Sequence, residues 1–166
     1  MISEIKPLNF PELIYLNDFE GNFDAYFKAV YNIFESDFMK SQPNYCGLKV
    51  TAPRYPEVDG VSRTFYHITH EGEDEKNRTP NFRRMERIRF PKYLIMNCPH
   101  DEILIWEKEI RGDLRTHLLN KEEKYLVVLN KRKDYLMLWT AFYIDQDHTI
   151  RKKIKEYEAY IKAKTA

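Results

Sequence analysis

The stretch ILIWEKEIRGDLRTHLLNKEEKYLVVLNKRKDYLMLWTAFYI, residues 103–144, decides the fold. It contains four segments rich in apolar residues, and we predict strands at 103–110, 114–119, 124–129 and 135–144. The connections RGD, NKEE and NKRKD between them are short and polar, as hairpin turns are. The stretch therefore predicts an antiparallel meander of four strands.

Two amphipathic helices are predicted outside this meander. Apolar residues repeat at three- and four-residue spacing over residues 19–39 and again over 149–164, and this spacing indicates one buried helical face. The second of these helices is rich in lysine, and we expect its lysines to face water. Between the first helix and the meander we predict short strands at 47–52 and 62–68, the latter because it is rich in threonine and aromatic residues.

A further helix is predicted immediately before the meander. Thr79 is suited to an N-cap and Pro80 to the first helical position. We expect this helix to end at about Phe90, because Pro91 disfavours helical conformation in the residue before it.

These elements predict a single α+β domain over residues 1–166. An N-terminal helix and a central arginine-rich helix would pack on a four-stranded or slightly larger antiparallel sheet, with a basic helix at 150–166. Residues 1–17 are expected to be irregular, since they contain two prolines.

The central helix carries a cluster of arginines. At 100° per residue, Arg83, Arg84 and Arg87 share one face, opposite the apolar Phe82, Met85 and Ile88. Guanidinium groups suit bidentate contact with phosphate. The alternative is a solvated face whose arginines pair with Glu86 or with the acids of 71–75.

Two histidines precede this helix and are candidates for proton transfer. His67 and His70 lie at the end of the predicted strand 62–68, and imidazole is the usual general acid or base near neutral pH. His100, His117 and His148 have no comparable neighbours in the sequence, and we assign them no role. The structural alternative is that His67 and His70 are simply packed or exposed.

Other chemistries find little support in the sequence. There is no glycine-rich phosphate loop, no serine-hydrolase motif and no H-E-x-x-H motif, and we expect no metal and no cofactor. Cys46 and Cys98 are the only cysteines, and we interpret both as reduced structural thiols.

Charge and hydropathy place limits on partners and location. The net charge is +1, which by itself does not favour nucleic-acid binding, although bases are concentrated at 83–92 and 151–164. No apolar run reaches the length of a membrane span, and the first residues lack the features of a signal peptide. We therefore expect a cytoplasmic protein with no membrane association.

The order of the segments TFYHITHEGE, RTPNFRRMERIRFP and YLVVLNKRKDYLMLWTAF, followed by a basic helix, resembles a known family. Over about residues 47–160 the chain resembles a phage- and mobile-element-borne branch of the barnase/EndoU/colicin/RelE-like ribonuclease superfamily. The resemblance implies a helical segment before a four-stranded antiparallel sheet whose open face cleaves RNA without metal. It also implies attack of a ribose 2′-hydroxyl on the adjacent phosphate.

The resemblance assigns roles to particular residues. His67 matches the family's histidine, Arg84 and Arg87 with Glu86 between them match an R-x-E-R helix signature, and Thr140 matches the threonine of a Thr-Ala-aromatic ending. His67 would take the proton from the 2′-hydroxyl, Arg84 and Arg87 would stabilise the phosphate, and Thr140 would bond one of its oxygens. Residues expected to contact the substrate are His70, Glu86, Lys124, Arg132 and Trp139.

The last strand departs from the family pattern at Phe142, where relatives often have tyrosine. Alternation also places Thr140 with the apolar Leu136 and Leu138 rather than with Met137. Three explanations remain open: the open face is the aliphatic one, a bulge shifts the register, or Thr140 is structural.

The sequence thus predicts a metal-independent endoribonuclease, with RNA as its partner and, given the toxin-like family, a protein inhibitor. The alternative is a non-catalytic nucleic-acid- or protein-binding module of phage or prophage origin, in which the nuclease-like site has degenerated. A third interpretation is a structural or antitoxin-like protein whose arginines serve only in ion pairs. The sequence gives no oligomeric state.

Overall fold

A computed structural model describes residues 6–74 and 77–166. Within these ranges the chain is an α+β protein, as predicted. The α-helices are α1 (Phe23–Glu35), α2 (Arg63–Thr69), α3 (Phe82–Glu86), α4 (Phe90–Met96) and α5 (Asp147–Thr165). The strands are β1 (Asn44–Tyr45), β2 (Leu48–Thr51), β3 (Glu57–Val58), β4 (Val61–Ser62), β5 (His70–Glu71), β6 (Thr79–Pro80), β7 (Leu104–Ile110), β8 (Asp113–Asn120), β9 (Tyr125–Lys131) and β10 (Leu136–Tyr143).

The main sheet has six strands in the order β1-β2-β10-β9-β8-β7. The predicted meander forms the β7–β10 part of it, with antiparallel pairing throughout. The sheet, predicted as antiparallel with four strands or slightly more, is a mixed sheet of six, because β2 pairs in parallel with β10 at Leu136 and Met137. Parallel strands need a long connection, and here residues 52–135 form it.

A β-bulge in β10 determines which side of the sheet Thr140 faces. The pairing with β9 shifts between Leu138 and Thr140, so that alternation restarts after one extra residue. Leu138 and Ala141 are buried in the main core, whereas Phe142 packs with the smaller cluster on the opposite side of the sheet. Of the three explanations, the structure therefore supports the bulge.

The main core lies between the sheet and the N-terminal helices. The predicted helix 19–39 consists of a 3₁₀ turn at Leu16–Phe19, α1 and a π-helical turn at Ser36–Lys40. Asn22 caps α1 by accepting a hydrogen bond from the Ala25 N–H at 3.1 Å. Tyr26, Val30 and Phe34 repeat every four residues and are fully buried.

The segment predicted as a strand at 62–68 is the helix α2. The Ser62 hydroxyl accepts a hydrogen bond from the Phe65 N–H at 3.1 Å and so caps the helix. Phe65, Ile68 and Thr69 are buried on one side of it. The β propensity of threonine and aromatic residues is overridden here by this cap and by burial at helical spacing.

The single helix predicted between Thr79 and Phe90 is the shorter helix α3, followed by a turn at 87–89 that leads into α4. Thr79 and Pro80 belong to β6, and the N-cap of α3 is Asn81, which accepts a hydrogen bond from the Arg84 N–H at 3.1 Å. Helix α3 ends at Glu86. Pro91 lies in the first turn of α4, where its missing N–H is not needed. Pro91 therefore helps to start a helix rather than ending one.

The side of the sheet facing away from α1, here called the α5 face, is covered in part by α5. Ile150, Ile154, Tyr157 and Tyr160 of this helix pack on a cluster that includes Trp106 and Leu119. Among the described helices, none has the length and hydrophobicity that crossing a bilayer requires.

Candidate nucleic-acid interface

His67 and Trp139 line the same cavity, which has a volume of about 320 Å³. This Trp139 cavity opens beside the bulged part of β10, where α2 packs against that strand. Its lining residues are Pro53, Tyr55, Pro56, Arg63, Thr64, His67, Met137, Leu138 and Trp139. Of these two residues, His67 was predicted to be catalytic and Trp139 was predicted to contact the substrate.

Helix α2 places three polar side chains on the cavity. Arg63, Thr64 and His67 lie within about one helical turn of each other, and residues four apart share a helix face. His67 is half-buried and Arg63 is exposed. A guanidinium, a hydroxyl and an imidazole therefore border one space, an arrangement that the strand prediction for 62–68 did not suggest.

Two aromatic rings of this cavity are open to solvent. Tyr55 is 70% exposed and Trp139 is 39% exposed, which is high for side chains of this size. Trp139 lies on the α5 face, where the guanidinium carbon of Arg115 lies 4.4 Å from the centre of its ring. Exposed rings beside cations are the features by which proteins hold single-stranded nucleic acids.

Arg115 has no carboxylate partner among the described residues. Its Nε is buried and has no hydrogen-bond acceptor among residues 6–74 and 77–166. No role was predicted for Arg115 from the sequence, because it lies near the start of the predicted strand 114–119, far along the chain from the arginine helix. Its cross-strand neighbours are Lys108 and Asn130.

Arg84 lines a different cavity, of about 260 Å³, here called the Arg84 cavity. Its Nη1 donates a hydrogen bond to the His70 carbonyl oxygen at 3.0 Å, and its guanidinium carbon lies 5.2 Å from the centre of the Phe142 ring. Burial lowers the pKa of Arg84, while the nearby Glu71 carboxylate opposes this shift. Arg84 is thus held by the protein away from His67.

Arg87 is engaged by its own surroundings and lines neither cavity. Its guanidinium carbon lies 4.3 Å from the centre of the Tyr143 ring, and Nη1 donates to the Arg83 carbonyl oxygen at 2.9 Å. Glu86 is a looser partner at 3.7 Å. The structure therefore does not bring Arg84 and Arg87 together with His67 in one cavity.

His70 is a packed residue rather than a cavity residue. Only 6% of it is exposed, and its ring stacks on Tyr66 with centroids 4.0 Å apart. Nδ1 lies 2.9 Å from the Thr69 hydroxyl and 3.1 Å from the Tyr66 carbonyl oxygen. Burial lowers the pKa of His70, so its neutral form is favoured.

The remaining predicted contact residues lie elsewhere. Thr140 pairs with Val128 on the α5 face, beyond the bulge. Lys124 lies 3.5 Å from Asp147, and Arg132 lies 3.6 Å from Asp113. Lys124 and Arg132 lie immediately before and after β9, away from the Trp139 cavity.

His117, to which the sequence analysis gave no role, lies on the α5 face. It is 3% exposed, and its imidazole is nearly parallel to the Trp106 indole, with centroids 4.9 Å apart. Burial, followed by the charge of Lys153, lowers its pKa to about 4, while Glu156 opposes the shift. No local sequence motif marks this site, because its members come from β7, β8 and α5.

Several buried polar atoms on this face lack hydrogen-bond partners within the described ranges. They are Trp106 Nε1, Arg115 Nε, His117 Nδ1, Asn130 Oδ1 and Glu156 Oε2. Such atoms usually find a partner in native proteins. The packing of α5 on this face therefore leaves several buried polar groups without hydrogen bonds from the described residues. Among residues 6–74 and 77–166, no three His, Cys, Asp or Glu side chains are grouped closely enough to hold a metal ion.

Comparison of this chain with protein-family models, with curated proteins and with solved structures finds no match.

Proposed function

We propose that the protein binds single-stranded RNA, with a base in the Trp139 cavity and the backbone beside it on Arg63 and Arg115. The observation that carries this proposal is the place of Trp139: it is exposed, it borders the cavity of His67, and it supports an arginine that has no carboxylate partner in the described chain. RNA is favoured over DNA because of the sequence resemblance to ribonucleases.

The energetics fit a local site rather than a basic surface. Stacking of one base on an aromatic side chain is worth about 1–3 kcal/mol, whatever the base. With a net charge of +1, long-range attraction contributes little, so affinity depends on these rings and on a few arginines. Each phosphate contact adds a salt dependence of about −0.7 to the slope of log K against log salt for a single strand.

The test is a titration of fluorescein-labelled U6 followed by anisotropy. Trp139→Ala is expected to weaken binding roughly 5- to 150-fold, the equivalent of about 1–3 kcal/mol. The matched control is Tyr135→Ala, which removes a ring of similar exposure, 40%, on the same hairpin but outside the cavity. Equal affinity of the two variants, or tighter binding of the dT6 analogue, would contradict the proposal.

A second candidate function is cleavage of the bound RNA, as the sequence resemblance implies. It is favoured by the position of His67 on the same cavity as Arg63 and Thr64. The imidazole would take the 2′-hydroxyl proton, the 2′-oxygen would attack phosphorus, and the 5′-oxygen would leave with a proton from water. The products are a 2′,3′-cyclic phosphate and a 5′-hydroxyl, and Arg63 would take the phosphate-stabilising role that the resemblance gives to Arg84 and Arg87.

This second candidate is tested with a chimeric oligonucleotide that has one ribonucleotide among deoxynucleotides. Cleavage in the presence of EDTA at that single position, lost in His67→Ala and retained in the exposed His148→Ala, would support it. Positioned proton transfer contributes about 10² to 10⁴ in rate, so the loss should be of that size. Binding without any cyclic-phosphate product would leave RNA binding as the function.

A further inference from the structure

The Arg84 cavity contains both hydrogen-bond donors and acceptors. Arg83, Arg84 and Asn81 line it from α3 and its cap, while Glu71 and Asp145 line it from β5 and from the segment after β10. Phe82 and Tyr143 add two aromatic rings. The cavity was not predicted from sequence, because the arginine cluster was expected to face the same space as His67.

The donor side of this cavity is formed by Arg84. Stacking on Phe142 and the bond to the His70 carbonyl fix the plane of its guanidinium. Its Nε is buried and has no acceptor among the described residues, and no carboxylate there lies within ion-pair distance of it. A fixed guanidinium with an unused N–H is suited to a ligand that offers acceptors in a plane.

The acceptor side is formed by two exposed carboxylates, Glu71 and Asp145. Their charges balance those of Arg83 and Arg84, so the cavity has little net charge to attract phosphate. Both carboxylates are close enough to Arg84 to oppose the lowering of its pKa by burial. The cavity therefore favours a neutral ligand that presents acceptors on one edge and donors on another.

One ring of the cavity is available for stacking. Phe82 is 42% exposed, although its other contacts are with the rings of Phe23 and Tyr26 in the core. An exposed phenylalanine anchored in this way offers a flat surface to a planar ligand. A volume of about 260 Å³ is large enough for a purine base and too small for a whole dinucleotide.

We infer that the Arg84 cavity binds a guanine base of the same RNA, and this inference rests on the proposed function. Guanine presents the O6 and N7 acceptors that arginine contacts most often in nucleic-acid recognition. Its N1–H and N2 amino group are donors that a carboxylate accepts. Adenine replaces the O6 acceptor by an amino group, which would face the guanidinium, and the pyrimidines lack N7.

The experiment is a calorimetric titration of the protein with GMP, IMP and AMP. GMP is expected to bind at least about tenfold more tightly than AMP, because one good bidentate contact discriminates by about that factor or more. IMP, which lacks the N2 amino group, should lie between them. The double variant Glu71→Gln and Asp145→Asn should show a clearly smaller preference for GMP over AMP, because it loses the carboxylate acceptors for N1–H and the N2 amino group and keeps only the Arg84 contact. Its changes are isosteric and exposed, so they leave the core untouched.

The matched control is Glu73→Gln with Asp134→Asn, two exposed carboxylates outside the cavity, and it should keep the preference for GMP. Equal affinities of the wild-type protein for GMP and AMP, or the same preference in both double variants, would overturn the inference. A parallel titration with U6 separates this result from the proposed function. Binding of U6 without a GMP preference defeats only the guanine site, and a GMP preference without U6 binding defeats only the RNA proposal.

Discussion

The imidazole of His117 lies almost parallel to the indole of Trp106, at 16° and 4.9 Å between centroids, beneath the helix α5. Lys108 and Lys153 face it from β7 and α5, and Glu156 from α5 binds Lys108 at 3.4 Å. This arrangement places a neutral imidazole between two cations, and it has a measurable consequence for stability.

The first prediction is a loss of stability on acidification that depends on His117. Its pKa is lowered to about 4 in the folded protein, against about 6.5 in an unfolded chain. Below pH 6.5 the unfolded chain takes up this proton first, so the free energy of unfolding falls as the pH drops from 6.5 towards 4 and then levels off. The His117 contribution is on the order of 3 kcal/mol.

Urea denaturation at several pH values measures this effect. His117→Gln is expected to lose stability less steeply over this range than the wild-type protein does, because glutamine does not titrate. His148→Gln, which changes an exposed histidine, should follow the wild-type curve. Parallel curves for all three proteins would show that His117 is not responsible.

The second prediction concerns the chemistry of the Trp139 ring. Trp139→Phe should keep much of the U6 affinity, because phenylalanine still stacks, whereas Trp139→Leu should lose about as much as Trp139→Ala. Anisotropy titrations of the three variants give the order directly. A leucine variant that binds as tightly as the phenylalanine variant would mean that apolar area, and not stacking, holds the base.

The third prediction tests the aromatic core beneath α2. Phe65 is fully buried, with ring centroids 4.7 Å from Tyr31 and 5.2 Å from Phe34. Phe65→Ala should lower the free energy of unfolding by about 3–5 kcal/mol, because it removes buried area and leaves a cavity. Tyr135→Ala, at an exposed position, should change it by less than about 0.5 kcal/mol; a similar loss in both variants would contradict the assignment of Phe65 to the core.

The fourth prediction concerns the cap of α2. Ser62 is fully buried, and its hydroxyl bonds the Phe65 N–H, so Ser62→Ala should cost about 1 kcal/mol of stability. Ser62→Asp would restore the acceptor but bury a charge, and should be worse than alanine. Thermal denaturation orders the three proteins, and an alanine variant as stable as the wild type would argue against the cap.

Much of the sheet was predictable because its strands alternate and are joined by polar turns. The hairpin between β7 and β8 is an example: Arg111 and Gly112 both have positive φ, 51° and 83°, as a two-residue turn needs. The parallel pairing of β2 was not predictable, because it depends on how the intervening 84 residues fold back. The only sign of the bulge in the sequence is that simple alternation would place Thr140 on the same side as the apolar Leu136 and Leu138.

The candidate site was harder to predict than the sheet. The segment around His67 has the composition of a strand, and only the buried serine cap distinguishes it as a helix. Arg63 then appears on the cavity beside His67 because residues four apart are neighbours on a helix, whereas in a strand they lie about 13 Å apart. Arg115 was not predicted because it reaches Trp139 across the intervening strand β9, and no sequence motif records such a contact.

The extra residue at the β10 bulge also limits how this strand can change in length. Removing one residue there would restore simple alternation and would leave Leu136 with Leu138 and Ala141 with Tyr143 on the core side of the sheet. Deletion of either Trp139 or Thr140 should therefore disturb the packing of this strand far less than deletion of both, which would turn one half of the strand to the opposite side of the sheet.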